Sequence, residues 1–327
     1  MDTTETKIPL IFRLHELSNW AVIVALVAMV VFFAVSADGF LSSANLYNLM
    51  QNNVVMLAIV AIAMTLVVTS GGIALSVGIS IDMASMTFIM LLAAGTSVFL
   101  AIPAGIGVAL GVGLLNALII TQLRISPFLA TLGILFIGQS IQKILSGGGK
   151  PIYLATGEYA EMFNAIVRSG VFGISTPMIV LALVAIGIYL LIHRSVFGRY
   201  VRALGAQPGV AWYSGVKVNK TTGLVYIVAA GLCGITGILL SSTVRSYVPL
   251  SGDGYLLDAI GATFIGTTIS SERRPSVVGT LIGVLLLAVT RNGLLLLGWN
   301  FYWQQVGIGV LVFAVLALSF GLKGRAG

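Results

Sequence analysis

From Trp20 almost to the end of the chain, apolar runs of membrane-crossing length alternate with short polar or glycine-rich breaks. The runs define ten segments: 20–37, 46–69, 79–100, 102–122, 126–145, 174–193, 221–243, 254–271, 276–298 and 303–321. Each is close to the roughly 20 residues that cross a ~30 Å hydrocarbon core. The pattern predicts an all-α, polytopic transmembrane bundle of about ten spans, with residues 1–327 forming a single transmembrane domain. Two connections are long enough to carry structure of their own: an outer loop over about 146–174 and a basic inner loop over about 194–220. The inner loop predicts a short helix between Pro208 and Ser214, bracketed by Gly205 and Gly215.

Composition sharpens this picture. Of 327 residues, 58% are hydrophobic and only 8% charged, with 17 Lys+Arg against 10 Asp+Glu. Soluble domains carry about 25% charge, so a soluble enzyme is excluded. The net charge of +7 follows no basic stripe with interleaved aromatics, which argues against nucleic acid. It is better explained by topology. With both termini in the cytoplasm, 12 of the 17 cations fall inside, including Lys7, Arg13, Arg124, Arg194, Arg199, Arg202, Lys217, Lys220, Lys323 and Arg325. Ala34-Val35-Ser36 has the small residues of a signal-peptidase site, although the run before it exceeds the usual ~7–15 apolar residues.

Catalytic and metal-binding patterns are missing from the sequence. His15 and His193 sit at membrane edges, Cys233 stands alone in an apolar run, and no HExxH, CxxC or GxxxxGK[ST] motif occurs. No catalytic residue, metal or cofactor is expected, and any ATP must be bound by another chain. Polar positions inside spans then become the candidates, because they are costly in lipid. Asn45, Asn48, Gln51 and Asn52 recur at helical spacing as an amide stripe, suited either to hydroxylated solutes or to interhelical hydrogen bonding. Asn116 and Asn292 are similar single amides. Asp82 and Asp258 could line a polar path, pair with a neighbour such as Arg291, or cap a broken helix.

Ser70-Gly-Gly-Ile-Ala-Leu-Ser-Val-Gly78 interrupts two apolar runs and predicts a broken or re-entrant helix. Gly107xxxGly111 and Gly279xxxGly283 read as helix-packing faces. Trp299, Phe301, Tyr302 and Trp303 read as an interfacial aromatic belt, with sugar stacking as the other possibility. A short echo between Gly111-Val-Gly-Leu-Leu-Asn116 and the segment from Gly283 to Asn292 suggests an inverted repeat, spans two to five against spans seven to ten.

Taken in order, several motifs resemble the membrane permease subunits of bacterial ABC importers for ribose, xylose, galactose-type sugars and furanose signalling molecules. They are Phe40-Leu-Ser-Ser-Ala-Asn45-Leu-Tyr-Asn48, the 70–78 segment, Asn116-Ala-Leu-Ile-Ile and Pro127-Phe-Leu-Ala-Thr-Leu-Gly133. Gly198-Arg-Tyr-Val-Arg-Ala-Leu-Gly205, Tyr213-Ser-Gly-Val-Lys-Val218, Gly254-Tyr-Leu-Leu-Asp258 and Gly279-Thr-Leu-Ile-Gly283 complete the set. The resemblance implies a subunit of the bacterial inner membrane. Its expected partners are a cytoplasmic ATP-binding subunit, a second permease chain in a homo- or heterodimer, and a periplasmic solute-binding protein. It implies a solute path involving Asn48, Gln51, Asn52, Asp82, Asn116, Phe128, Thr131, Asp258 and Asn292. It also implies ATPase coupling through Gly198, Arg199, Arg202, Gly205, Gln207, Ala211 and Gly215. Two departures stand out: Ala74 occupies the position of the family's Asp, and Ser270-Ser-Glu-Arg-Arg-Pro275 replaces a glycine-rich turn. Both would fit one half of a heterodimer. An ion-coupled secondary transporter using Asp82 and Asp258 is the alternative.

Overall fold

The computed structural model describes residues 10–153, 170–171, 174–269 and 274–321. In chain order the first helices are α1 (Leu10–Ser36) and α2 (Ser43–Asn48), the latter continuing through a π-helical turn (Leu49–Val54) into α3 (Val55–Thr69). Then come α4 (Val77–Ala93), α5 (Val98–Thr121) and α6 (Pro127–Leu145). Three two-residue strands, β1 (Ile152–Tyr153), β2 (Gly170–Val171) and β3 (Ile174–Ser175), precede α7 (Thr176–His193). Two short helices, α8 (Val196–Ala206) and α9 (Pro208–Tyr213), lead into α10 (Val218–Val244). The chain ends with β4 (Ser246–Tyr247), α11 (Asp253–Ile269), α12 (Val277–Leu296) and α13 (Phe301–Gly321). β1 pairs antiparallel with β4, Ile152 opposite Tyr247, and β2 pairs antiparallel with β3.

Among the described residues, six helices are long and apolar enough to cross a membrane: Ser43–Thr69, α5, α6, α7, α10 and α12. Trp20–Ser36, α4 and Phe301–Ala317 are shorter apolar helices, and α11 fills the eighth expected segment. The polytopic helical bundle is as expected, but one boundary is not. The apolar run over 79–100 is two elements, because α4 ends at Ala93 and a turn with Gly95 at φ +80° precedes α5. Most of the expected outer loop, with Glu158, Glu161 and Arg168, lies outside the described residues. So do Lys7, Ser270–Arg273, Lys323 and Arg325.

The described chain divides into two compact units, Met50–Ile260 and Met1–Leu49 with Gly261–Gly327. Within the 50–260 unit, α3 is apolar on every side, and 14 of its 15 residues are buried. A helix of that kind belongs in the middle of a bundle. Around it, α10 packs against α3, α4 and α5, and small residues set how close the helices come. A Cβ at Gly113 would lie 2.7 Å from Ala230 Cβ and 2.9 Å from Ile227 Cα; one at Gly237 would overlap the Ile81 carbonyl; one at Gly105 would meet the Ala84 carbonyl at 2.9 Å. In lipid, where apolar burial does not drive association, such backbone approach supplies the packing.

The Gly107xxxGly111 pair does not serve this purpose. Neither glycine has any atom within 4 Å of an added Cβ. The helix turns Gly105, Ala109 and Gly113 toward its neighbours instead. In the other unit the expected Gly279xxxGly283 face holds, with Gly279 against the Gly266 carbonyl and Gly283 against that of Ala262. There α1 packs on α12 and α13, and the Phe33 ring occupies the space beside Gly293.

This packing predicts a split outcome for one substitution type. Gly113→Leu and Gly237→Leu each cost about 1–3 kcal/mol or more through overpacking, seen as a lower unfolding temperature in detergent. Gly107→Leu leaves that temperature unchanged; equal loss at all three positions would contradict the assignment of faces.

Candidate functional site

The glycine-rich interruption is a true break in the helix. Its backbone groups must find partners, since water is not there to satisfy them. Thr65 and Thr69 return their hydroxyls to the carbonyls of Ala61 and Thr65, at 2.7 and 2.6 Å. Past the helix end, Gly71 N–H and Gly72 N–H donate to Val68 and Val67 carbonyls at 3.0 and 3.2 Å. Gly71 sits at φ +85°, a left-handed conformation that a side chain would strain. The non-helical stretch that follows is pinned from two neighbouring helices. Leu75 N–H donates to Thr131 Oγ1 at 3.0 Å, and that hydroxyl donates back to Pro127 O at 2.9 Å in the first turn of α6. Asn116 of α5 donates to Ser76 Oγ at 2.8 Å and to Val112 O at 3.0 Å. Thr131 and Asn116, both predicted path residues, are thus brought together on the break.

A second polar cluster lies further along α6. Gln139 Nε2 donates to Asp253 Oδ2 at 2.8 Å, and Gln142 Oε1 accepts from Tyr247 Oη at 2.9 Å and Leu250 N–H at 3.2 Å. Burial, and after it the nearby Asp82 carboxyl, push the Tyr247 phenol well above its ordinary range, so it remains a donor. Asp82 is fully buried, and its Oδ1 accepts from Ser251 Oγ at 2.9 Å and Gly252 N–H at 2.8 Å. Of the three roles open to Asp82, the geometry is that of a cap, placed at the start of α11 from another helix. The Gly78 and Gly252 backbones touch beside it. Since Gln139 and Gln142 lie within α6 (Pro127–Leu145), the 246–253 segment returns alongside that helix, and α11 begins partway along it.

The basic loop folds into the α8–α9 helix pair. Ser195 caps α8, its Oγ accepting from Gly198 N–H at 3.0 Å while donating to Leu191 O at 2.6 Å. Gly198 is required because a Cβ there would overlap the Leu191 and Ile192 carbonyls at the end of α7. Leu204, Ala211 and Val216 form a small apolar core that joins the two helices across the extended Gln207. Gly215, at φ +82°, closes α9 with its N–H on Trp212 O at 3.0 Å. Arg199 stays exposed, whereas Arg202 lies against its own helix with Nε donating to Gly198 O at 3.4 Å. Val210, Trp212 and Tyr213 face outward.

Gly205, at the end of α8, joins this pair to the break. An added Cβ would overlap the Thr69 carbonyl and come within 3.2 Å of Gly71 N, while one at Gly71 would lie 3.3 Å from Gly205 Cα. Backbone meets backbone there, with no side chain between.

The remaining predicted residues are dispersed. The amide stripe is interrupted, because the π-helical turn over Leu49–Val54 shifts the register that a 3.6-residue period assumes. Asn48 and Asn52 are exposed, and Gln51 is half-buried. Asn45 leaves the stripe to form a reciprocal amide pair with Asn292, at 2.9 and 3.0 Å. Phe128 is about half exposed, and Asp258 is buried in α11. Sequence reasoning overlooked Gln142, Tyr226, Tyr247 and Ser251. The i, i+3 pair of amides Gln139 and Gln142 inside an apolar run was the available signal.

A polytopic helical bundle, with a broken apolar helix tied to an amphipathic helix pair, is the class that fold and site define. The chain belongs to the family described as branched-chain amino acid transport system / permease component, whose model matches residues 48–316. It is similar to the ribose import permease protein of Bacillus subtilis (strain 168), 34% identical over 204 residues that cover 62% of each chain. It is also similar to the galactose/methyl galactoside import permease protein of Haemophilus influenzae (strain Rd), 29% identical over 64% of this chain and 62% of that one. The D-allose transport system permease protein of Escherichia coli (strain K12) matches at 29% over the same shares. The chain spans under two thirds of the length of these relatives. No solved structure matches it.

The cap assignment predicts that Asp82→Leu, which leaves the buried Gly252 N–H without an acceptor, costs about 1–3 kcal/mol. Asp82→Asn keeps an acceptor at that point and costs much less. Thermal unfolding in detergent reads both, and equal stability of Asp82→Leu with the parent would remove the cap.

Proposed function

We propose that the chain is the membrane-spanning permease subunit of an ATP-driven importer for a monosaccharide or similar small polyhydroxylated solute. The observation that carries this reading is the direct contact of Gly205 with Thr69 and Gly71. It connects an exposed, partly basic helix pair to the broken span without an intervening flexible link. A force applied at α8–α9 reaches the break through backbone, and the break is held to α5 and α6 by Asn116 and Thr131. Alternating access needs such an element with two packings whose balance a motor can shift. The names of the three relatives supply the solute class.

In this reading both termini are cytoplasmic and the protein sits in the inner membrane of a bacterium. The subunit binds no cofactor and performs no catalysis. A separate subunit hydrolyses ATP after docking on Val210, Trp212, Tyr213 and Arg199. A second permease chain completes the path, and Ala74, at the family's Asp position, favours a non-identical partner. A periplasmic binding protein delivers the solute and sets most of the selectivity.

Arg199→Glu, Arg202→Glu, Gly205→Leu and Gly215→Leu are each expected to abolish solute uptake in cells while the protein stays in the membrane. Uptake in the parent is expected to fail on ATP depletion and to survive an ionophore. Normal uptake by all four variants, or uptake that follows the ion gradient, would overturn the reading.

A further inference from the structure

The chain that carries the α8–α9 pair into α10 is strongly basic. Between Arg194 and Lys220 it holds five Lys or Arg and no Asp or Glu. Lys217 and Lys220, at the start of α10, are both exposed. Neither ammonium group is hydrogen-bonded or ion-paired among the described residues.

Both lysines line a groove of about 390 Å³ between α8 and the first two turns of α10. Its α8 wall includes Val196, Phe197 and Tyr200, and its α10 wall runs on from Lys220 to Leu224. Val196, Tyr200 and Leu224 are exposed, although their surfaces are largely apolar. No carboxylate lines the groove. Along α10 the groove therefore passes from two free cations to hydrocarbon.

The length of α10 places that gradient against the bilayer. Its 27 residues span roughly 40 Å at about 1.5 Å per residue, more than a ~30 Å hydrocarbon core. The excess lets the polar first turn, Asn219-Lys220-Thr221-Thr222, lie among the headgroups. Leu224, one turn or ~6 Å further along, then stands at the edge of the hydrocarbon. Tyr200 has the amphipathic ring that suits this level.

We propose that this groove is a binding site for an anionic phospholipid, with the phosphate on Lys217 and Lys220 and an acyl chain along Val196, Phe197 and Leu224. Charge complementarity selects an anion, and clustered cations at a membrane edge attract anionic lipid in particular. The apolar wall selects an anion that carries hydrocarbon, since a soluble phosphate would leave that wall uncovered. A zwitterionic lipid would bring its own cation toward the two lysines. The bound lipid fills the space between α8 and α10 and so steadies the helix pair on its span. Its place in the inner leaflet rests on the transport reading, but the binding does not.

The test is thermal unfolding of the purified full chain in a nonionic detergent, titrated with phosphatidylglycerol, phosphatidylcholine or sn-glycerol 3-phosphate. Phosphatidylglycerol should raise the unfolding temperature saturably, and the other two should not. Lys217→Gln and Lys220→Gln should each raise the half-saturating phosphatidylglycerol concentration about fivefold, and leave the lipid-free unfolding temperature unchanged because neither side chain has a partner to lose. Leu224→Gln should also weaken the effect, whereas Lys150→Gln, which removes an exposed charge outside the groove, should not. An equal rise with phosphatidylcholine or with glycerol phosphate would overturn the site, as would indifference to both groove lysines or an equal loss in Lys150→Gln. So would release of the lipid when the ATP-binding subunit assembles, which would make the groove a protein interface. The titration needs no transport, so its failure is separable from failure of the import reading.

Discussion

A polar backbone interrupted inside an apolar bundle must be satisfied by the protein itself, and the rest of the 50–260 unit follows from that constraint. The helix stops at Gly71 and Gly72, and the non-helical residues after it cannot turn to water. Thr131 and Asn116 therefore come from two other helices to hold Leu75 and Ser76. Close packing of α10 on α3, α4 and α5 keeps those helices in place, which is why glycine and alanine line their contacts. The break is a defect in secondary structure that tertiary structure has made definite.

The 246–253 segment obeys the same logic by different means. It returns along α6 and leads into α11, and the Leu250 and Gly252 amides just before that helix need acceptors from elsewhere. Asp82 and Gln142, each on a neighbouring helix, accept from Gly252, Ser251, Tyr247 and Leu250. Asp82 lies six residues beyond Ser76 on α4, so the helix that leaves the break also carries the cap for the returning segment. A displacement of α4 would be felt at both places.

How much of this was legible in the sequence depended on whether the signal was local. Glycines and serines concentrated at 70–78 announce a break because their chemistry is local, and Pro208 with Gly215 announces α9 for the same reason. The membrane class followed from the apolar runs together with the scarcity of charge. Contacts between distant residues were not legible. Gly107 and Gly111 have the right spacing for packing, but spacing does not say which side of α5 faces the bundle, and the neighbours turned out to meet Gly105 and Gly113. The π-helical turn that begins after Asn48 and contains Gln51 and Asn52 leaves no mark in a hydropathy pattern. Asp82 was recognisable as costly, but its choice between path, ion pair and cap was made by Gly252, 170 positions away.

In the proposed transport cycle, α8 controls the break through the contact of Gly205 with Thr69 and Gly71. Hydrogen–deuterium exchange on the purified chain tests it most directly. In Gly205→Leu, the overlapping side chain should separate the two backbones, and the 70–76 amides should exchange faster while those in the middle of α3 keep the parent's protection. Unchanged exchange at 70–76 in a folded Gly205→Leu protein would contradict the account.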